Sequence, residues 1–363
     1  MIKYENLSAS NQPFFDEYKA GFQKFLTDGW YILGDNVKNF ENKFSKYNQS
    51  KHTVGLASGL DALHLSINAL DLDENAEIIV PSNTYIATIL AIINNGFIPI
   101  LVEPNIETYN IDPEKIEGSI TNKTGAILVV HLYGKACNMD PILTLAKKYS
   151  LAVIEDCAQA HGAMYRGVNV GNFGEFGAFS FYPTKNLGAL GDAGAITTGN
   201  IAHRDKIRKL RNYGSEVKYY NDIIGFNSRL DEIQAYFLAI KLNHLHQITR
   251  HKRKLANLYL ENLSEKFIRP VVSEHYYDVY HIFNIRFSQR DDLRKYLAKN
   301  LIQTEIHYPV PPHKQSALQC IKGISDSHFP ISEEIHRTTL SLPISFSTKE
   351  KEVIKVCKIL NKF

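Results

Sequence analysis

The sequence predicts an α/β protein in which a mainly parallel, three-layer domain is followed by a smaller α+β domain. Three observations carry that expectation. From residue 53 to residue 200, short apolar runs alternate with helical patterns, the rhythm of repeated βαβ units. Polar and aromatic residues suited to a ligand (Ser58, Tyr85, His131, Asp156 and Ser180) fall at or just after the carboxyl ends of those runs, where ligands collect in such sheets. Beyond residue 250 the alternation weakens, which divides the chain into a 1–250 large domain and a 251–363 small one.

In chain order, a helix is expected from Pro13 to Asp28. A second carries Phe40, Phe44 and Tyr47 on one face, at spacings of four and three. The apolar run from Thr53 turns through Ser58-Gly59 into a helix whose first turn holds Asp61. Glu77–Pro81 and Phe97–Val102 read as buried strands around a helix from Ala87 to Asn95. Ala126–His131 and Leu151–Asp156 flank a helix from Met139 to Tyr149, and Gly177–Phe181 is a further strand, stopped by Pro183. A basic helix from Ala202 to Tyr213 ends at Gly214, and the tyrosine-rich 215–222 stretch reads as a loop. Ser228 is an N-cap candidate for a long helix with Leu230, Ile233, Phe237, Ile240 and Leu245 on one face. The small domain follows with a strand from Val279 to Phe287 and helices from Asp291 to Asn300 and Thr348 to Leu360.

A chain of 363 residues exceeds one ordinary core. With 44% hydrophobic and 22% charged residues it has the make-up of an average globular protein. Its net charge of +3 comes from 41 basic and 38 acidic residues spread along the chain, which gives no argument for nucleic acid or a membrane surface. The densest basic run, His251–Lys254, reads as a solvated helix face. Four scattered cysteines, with no CxxC spacing, fit reduced thiols in the cytoplasm better than disulfides or a metal site. Met1–Glu5 has no signal-peptide core, and no run reaches the length of a membrane span.

The chemistry centres on Lys185. It leaves an apolar strand end and precedes glycines at 188, 191 and 194. A nucleotide P-loop is excluded because no GxxxxGK[ST] is present. An amine held among apolar neighbours loses its proton readily, and a neutral amine is what Schiff-base chemistry with a carbonyl needs. A solvated loop lysine remains the plain alternative. Ser58-Gly59 is either an anion site at a helix N-terminus or only a helix cap. Asp156 is either a carboxylate awaiting a cation or a strand-end acid bonded to nearby amides.

Read together, Glu155-Asp156-Cys157-Ala158-Gln159-Ala160-His161-Gly162 and Ser180-Phe-Tyr182-Pro-Thr-Lys185 resemble the sugar aminotransferases of the DegT/DnrJ/EryC1/StrS family, which use pyridoxal 5′-phosphate. The resemblance runs from Gly34-Asp35 to Tyr308-Pro-x-Pro-x-His313. It implies the fold-type I, aspartate aminotransferase-like sandwich, with Lys185 attached to the cofactor and later acting as proton shuttle. It further implies that Asp156 faces the ring nitrogen, that Gln159 reaches the 3′ oxygen and that Tyr85 stacks on the ring. Ser180 and the Ser58-Gly59-Leu60 turn would hold the phosphate. Leu60 stands where many members have threonine, so its contact would come through backbone. Asn227 and Arg229 match an Asn-x-Arg that reaches across a homodimer interface, to the neighbouring phosphate and to substrate; read alone they are a cap and a surface charge. Tyr182, Tyr308 and His313 align with substrate-side positions, where the prolines alone would account for a turn.

A branch of the family carries histidine in place of this lysine and dehydrates deoxysugars; Lys185 argues against it. The Tyr182–Asp192 pattern looks most like members that aminate C3 of a dTDP-linked 3-keto-6-deoxyhexose with L-glutamate as donor, supplying a deoxyaminosugar for a surface glycan such as O-antigen. Amination at C4, a UDP-linked sugar, and a regulatory cofactor-binding protein without turnover are the alternatives.

Overall fold

A computed structural model describes residues 1–321, 324 and 328–363. Seven short strands form one sheet, in the spatial order His52–Leu56, Gly194–Thr198, Phe176–Ser180, Ala152–Asp156, Thr124–Val130, Glu77–Pro81, Ile98–Val102. Only Gly194–Thr198 runs against its neighbours; the other pairings are parallel, as the βαβ rhythm requires.

Residue alternation along these strands makes the third layer. Ile79, Val129, Val153 and Phe179 enter one apolar cluster, with Phe40 and Phe44 from the Asp35–Asn48 helix. Ile78, Val80, Leu128, Ile154 and Phe176 enter another, with Leu63 and Ile67 from the Gly59–Asn68 helix. Successive side chains of a strand point to opposite faces, so apolar residues at every position clothe both faces.

A third cluster gathers Tyr259, Phe283, Ile285, Leu340, Leu342, Val353 and Leu360, and Ile2 joins it from the other end of the chain. Its strand Phe283–Arg286 pairs with Thr339–Leu342. That second strand, and the Pro330–Thr338 helix before it, are elements the sequence reading left out.

Three expectations are corrected. The 215–222 stretch is a short hairpin, Ser215–Val217 with Tyr220–Asn221, rather than a loop. The helix after Arg229 starts at Glu232. Ser228 therefore caps nothing there; its Oγ donates to Asp61 Oδ2 at 2.7 Å and accepts from Ala57 N at 3.3 Å. In the basic run, Lys252 is buried, so that helix face is not wholly solvated.

Candidate active site

Register decides what meets at the carboxyl edge. Gly194 pairs with Leu56 on one side and with Ser180 on the other. The Ser58-Gly59 turn is thereby carried across one strand to Ser180. Contact is close: a Cβ on Gly59 would lie 2.4 Å from Ser180 Cβ, and one on Gly194 would lie 2.2 Å from the Ser58 carbonyl oxygen. Only glycine fits at either place. Ser58 Oγ accepts from Asp61 N at 3.1 Å, capping the Gly59–Asn68 helix. Ser180 Oγ accepts from Tyr182 N at 3.3 Å. Both hydroxyls keep their own hydrogens to give, beside the free amides and positive end of a ten-residue helix. An anion fits there.

On the strand next to that of Ser180, Asp156 is buried. Its Oδ2 accepts from Thr88 Oγ1 at 2.9 Å and its Oδ1 from Ala158 N at 3.1 Å. Burial raises its pKa, while those donors and the nearby Lys185 charge pull it back. Among the described residues no Lys, Arg or His forms an ion pair with it. A buried carboxylate bonded but without a counter-cation fits a cationic N–H from a ligand. Thr88 was missed from sequence because its partner is 68 residues away. A signal was present, since Thr84 and Thr88 are one turn apart and their hydroxyls bond at 2.8 Å.

Gln159 links the floor to a wall. Its Oε1 accepts from Tyr133 N at 2.7 Å, and its Nε2 donates to Tyr308 Oη at 2.9 Å. Tyr308 is thus brought into the site, with its ring 5.2 Å from that of Tyr85. Lys185 is half-buried at the start of the next turn, its amide donating to the Tyr182 carbonyl at 2.8 Å. Burial brings its amine down to about 8, against the pull of Asp156. A cavity of ≈ 360 Å³ adjoins it, lined by Tyr4, Tyr182, Thr184, Lys252, His281 and His307. A larger one of ≈ 480 Å³ lies at the opposite, amino ends of the strands, around Leu143, Lys147, Phe173 and Glu175.

Other expected residues are placed elsewhere. His313 is buried against the Phe329 ring, its Nε2 bonded to Glu333 at 3.0 Å, and so presents no polar edge to the cavity. Asn227 is exposed, and Arg229 donates to Asn212 Oδ1 at 3.0 Å over the Tyr213 ring. His131, Glu155 and Cys157 cluster beneath Asp156. Glu155 accepts from His131 Nε2 and from the amides of Gly171, Phe173 and Gly174. His131 Nδ1 accepts from Cys137 N. These bonds occupy His131 and Glu155 and brace the strand that carries Asp156.

A buried carboxylate, an amine near neutrality and an anion cradle are what pyridoxal phosphate asks of a protein, and the residues present fit it. Comparison with known proteins agrees. Residues 15–361 match the DegT/DnrJ/EryC1/StrS aminotransferase family. The chain is 50% identical to the dTDP-3-amino-3,6-dideoxy-alpha-D-galactopyranose transaminase of Aneurinibacillus thermoaerophilus, over 100% of this chain and 99% of that one. It is 40% identical to the dTDP-3-amino-3,4,6-trideoxy-alpha-D-glucose transaminase of Streptomyces venezuelae, over 98% and 94%. The solved structure of S. venezuelae DesV in complex with a ketimine intermediate superposes with a TM-score of 0.96 at 40% identity, over 98% of this chain and 96% of that one.

Proposed function

The chain belongs to the DegT/DnrJ/EryC1/StrS aminotransferase family, and from that premise we propose that it moves the amino group of L-glutamate to C3 of a dTDP-linked 3-keto-6-deoxyhexose. The two relatives described above both bear names of 3-amino-sugar transaminases on dTDP, which supports C3 and dTDP over the C4 and UDP alternatives. The observation that carries the chemistry is Asp156, buried with no ion-pair partner among the described residues and within the electrostatic reach of an amine brought down to about 8.

Pyridoxal phosphate, when bound, supplies an aldehyde carbon and an electron-withdrawing ring. Every other task falls to the chain. Lys185 would hold the cofactor through its neutral amine and, when free, would serve as the base and acid that moves the donor's proton. Asp156, held by Thr88 and Ala158 N, keeps the ring nitrogen protonated. Gln159 would offer its amide to the ring oxygen, and Tyr85 would hold the ring. Ser58, Gly59 and Leu60 amides with the Ser180 hydroxyl hold the phosphate. Tyr182 and Tyr308 border the sugar; His313 serves only by shaping the loop that bears Tyr308.

We take the working unit to be a cytoplasmic homodimer, of a 1–250 and a 251–363 domain in each copy, that feeds a surface glycan. All four cysteines are free, as a reducing compartment favours. Among the described residues no helix is long and apolar enough to cross a membrane. Phe22, Leu26 and Trp30 near one end and Tyr219 and Ile224 by the hairpin are exposed apolar residues that a second copy would cover. Asn227 and Arg229 lie beside that hairpin, where they would reach the other copy's phosphate and substrate.

The reading is tested by colour. Purified protein given pyridoxal phosphate should turn yellow, bleach on addition of L-glutamate, and regain its colour when the dTDP-3-keto sugar is added. Protein that stays yellow with glutamate is a binder without turnover, and the enzyme reading falls.

A further inference from the structure

Two buried lysines flank the turn that carries Lys185. Lys241 is 5% exposed and Lys252 4% exposed. Lys252, on the Leu245–Asn262 helix, donates from Nζ to Asn186 Oδ1 at 2.8 Å and to the His281 carbonyl at 3.1 Å. Asn186 in turn gives Nδ2 to the Val279 carbonyl at 3.0 Å. Lys241, at the end of the Glu232–Leu242 helix, donates to the Gly188 carbonyl at 3.3 Å and to Asn11 Oδ1 at 3.2 Å. Among the described residues neither ammonium has a carboxylate within ion-pair distance; all its partners are neutral oxygens.

Burying a cation on neutral acceptors is costly, and an apolar side chain of similar length avoids that cost. What each lysine provides in return is its bonds, and one from each goes to the three-residue segment just after Lys185. That segment has little slack of its own to lose: a Cβ on Gly188 would lie 2.3 Å from the Pro183 carbonyl oxygen, so the turn closes on itself. Asn186 is held from the Leu245–Asn262 helix and from the strand-leading stretch at 279; Gly188 is held from a different helix.

We propose that Lys241 and Lys252 are positioning residues for Lys185. Gripping Gly188 and Asn186 from separate helices, they fix the direction in which the Lys185 amine leaves the turn. The proposal rests on Lys185 being the residue that takes the cofactor. Neither lysine is bonded to Lys185, Asp156 or Gln159; the bonds they give go to the turn and its supports. Misplacement of a reacting group by an ångström costs up to about a hundredfold in rate, and that is the scale at issue.

The test uses the cofactor-loaded protein and Lys252→Met, which keeps length and apolar bulk and removes the donors. Hydrogen exchange across the 182–190 peptide should speed up at least about tenfold, as expected when a local hydrogen-bonded unit opens more easily. Bleaching by L-glutamate in a single turnover should slow about ten- to a hundredfold with the glutamate concentration for half-maximal rate little changed. Asn186→Leu should slow bleaching as well, and the double variant should lose less than the product of the two single losses, since the Lys252–Asn186 bond is removed by both. Lys241→Met, acting on Gly188 from another helix, gives the same signature by an independent route and carries the test if Lys252→Met does not fold. Unchanged exchange and bleaching in a folded Lys241→Met or Lys252→Met protein, or additive losses in the double variant, overturn the proposal. Failure of the functional reading looks different: there the wild-type protein itself would neither bleach nor carry cofactor on Lys185.

Discussion

Lys185→Ala is expected to abolish turnover, by about 10³-fold or more, because one side chain both attaches the cofactor and carries the proton. The structure makes the amine fit for both tasks. Burial brings it down to about 8, so the neutral fraction rises steeply between about pH 7 and 8, and attachment in cofactor-free protein should quicken with pH through that range, then level off. Reduction of the loaded wild type with borohydride, followed by peptide mapping, should place the label on Lys185; a label on another lysine refutes the assignment. The same variant tests site sharing. If Arg229 serves the partner's site, Lys185→Ala and Arg229→Ala homodimers are each inactive, and heterodimers formed by refolding them together hold one intact site. Random pairing then returns about a quarter of wild-type activity. Confirmed heterodimers as inactive as their parents put both residues in one chain's site.

Asp156→Asn is the second large effect. Shape and the Thr88 bond survive this change, but the charge that holds the ring-nitrogen proton is lost. The half-reaction with L-glutamate should fall about a hundredfold, the scale of losing one preorganised electrostatic contact. Cofactor affinity should fall far less, since the phosphate cradle at Ser58, Gly59 and Ser180 is untouched. Single-turnover rates equal to wild type would make Asp156 a structural acid only.

Much of this was legible in the chain because strands are local. Apolar runs of five to seven residues, each followed by a polar or aromatic residue, placed Ser58, Tyr85, Asp156 and Ser180 on one edge before any register was known. What the chain concealed depends on partners far away in sequence. Thr88 reads as one more β-branched residue in an apolar helix until Asp156 is set against it. Tyr133 meets Gln159 only through the fold. Ser228 looks like a cap, yet its hydroxyl is spent on Asp61, 167 residues away. Lys252 was hidden by its charged neighbours, although helical spacing did expose it: Ile248, Lys252, Leu255 and Tyr259 lie on one buried face. A cation within such a stripe is a buried cation, and here it leads to the Lys185 turn.

Amination at C3 of a dTDP-linked ketosugar can be observed directly on the product. The protein is incubated with pyridoxal phosphate, nitrogen-15 L-glutamate and dTDP-3-keto-6-deoxyhexose of either C4 configuration, and the sugar product is examined by NMR. Nitrogen-15 is expected to couple to the C3 proton and carbon of the sugar. Nitrogen found at C4 with a 4-keto substrate, and none transferred to the 3-keto sugars, would contradict it.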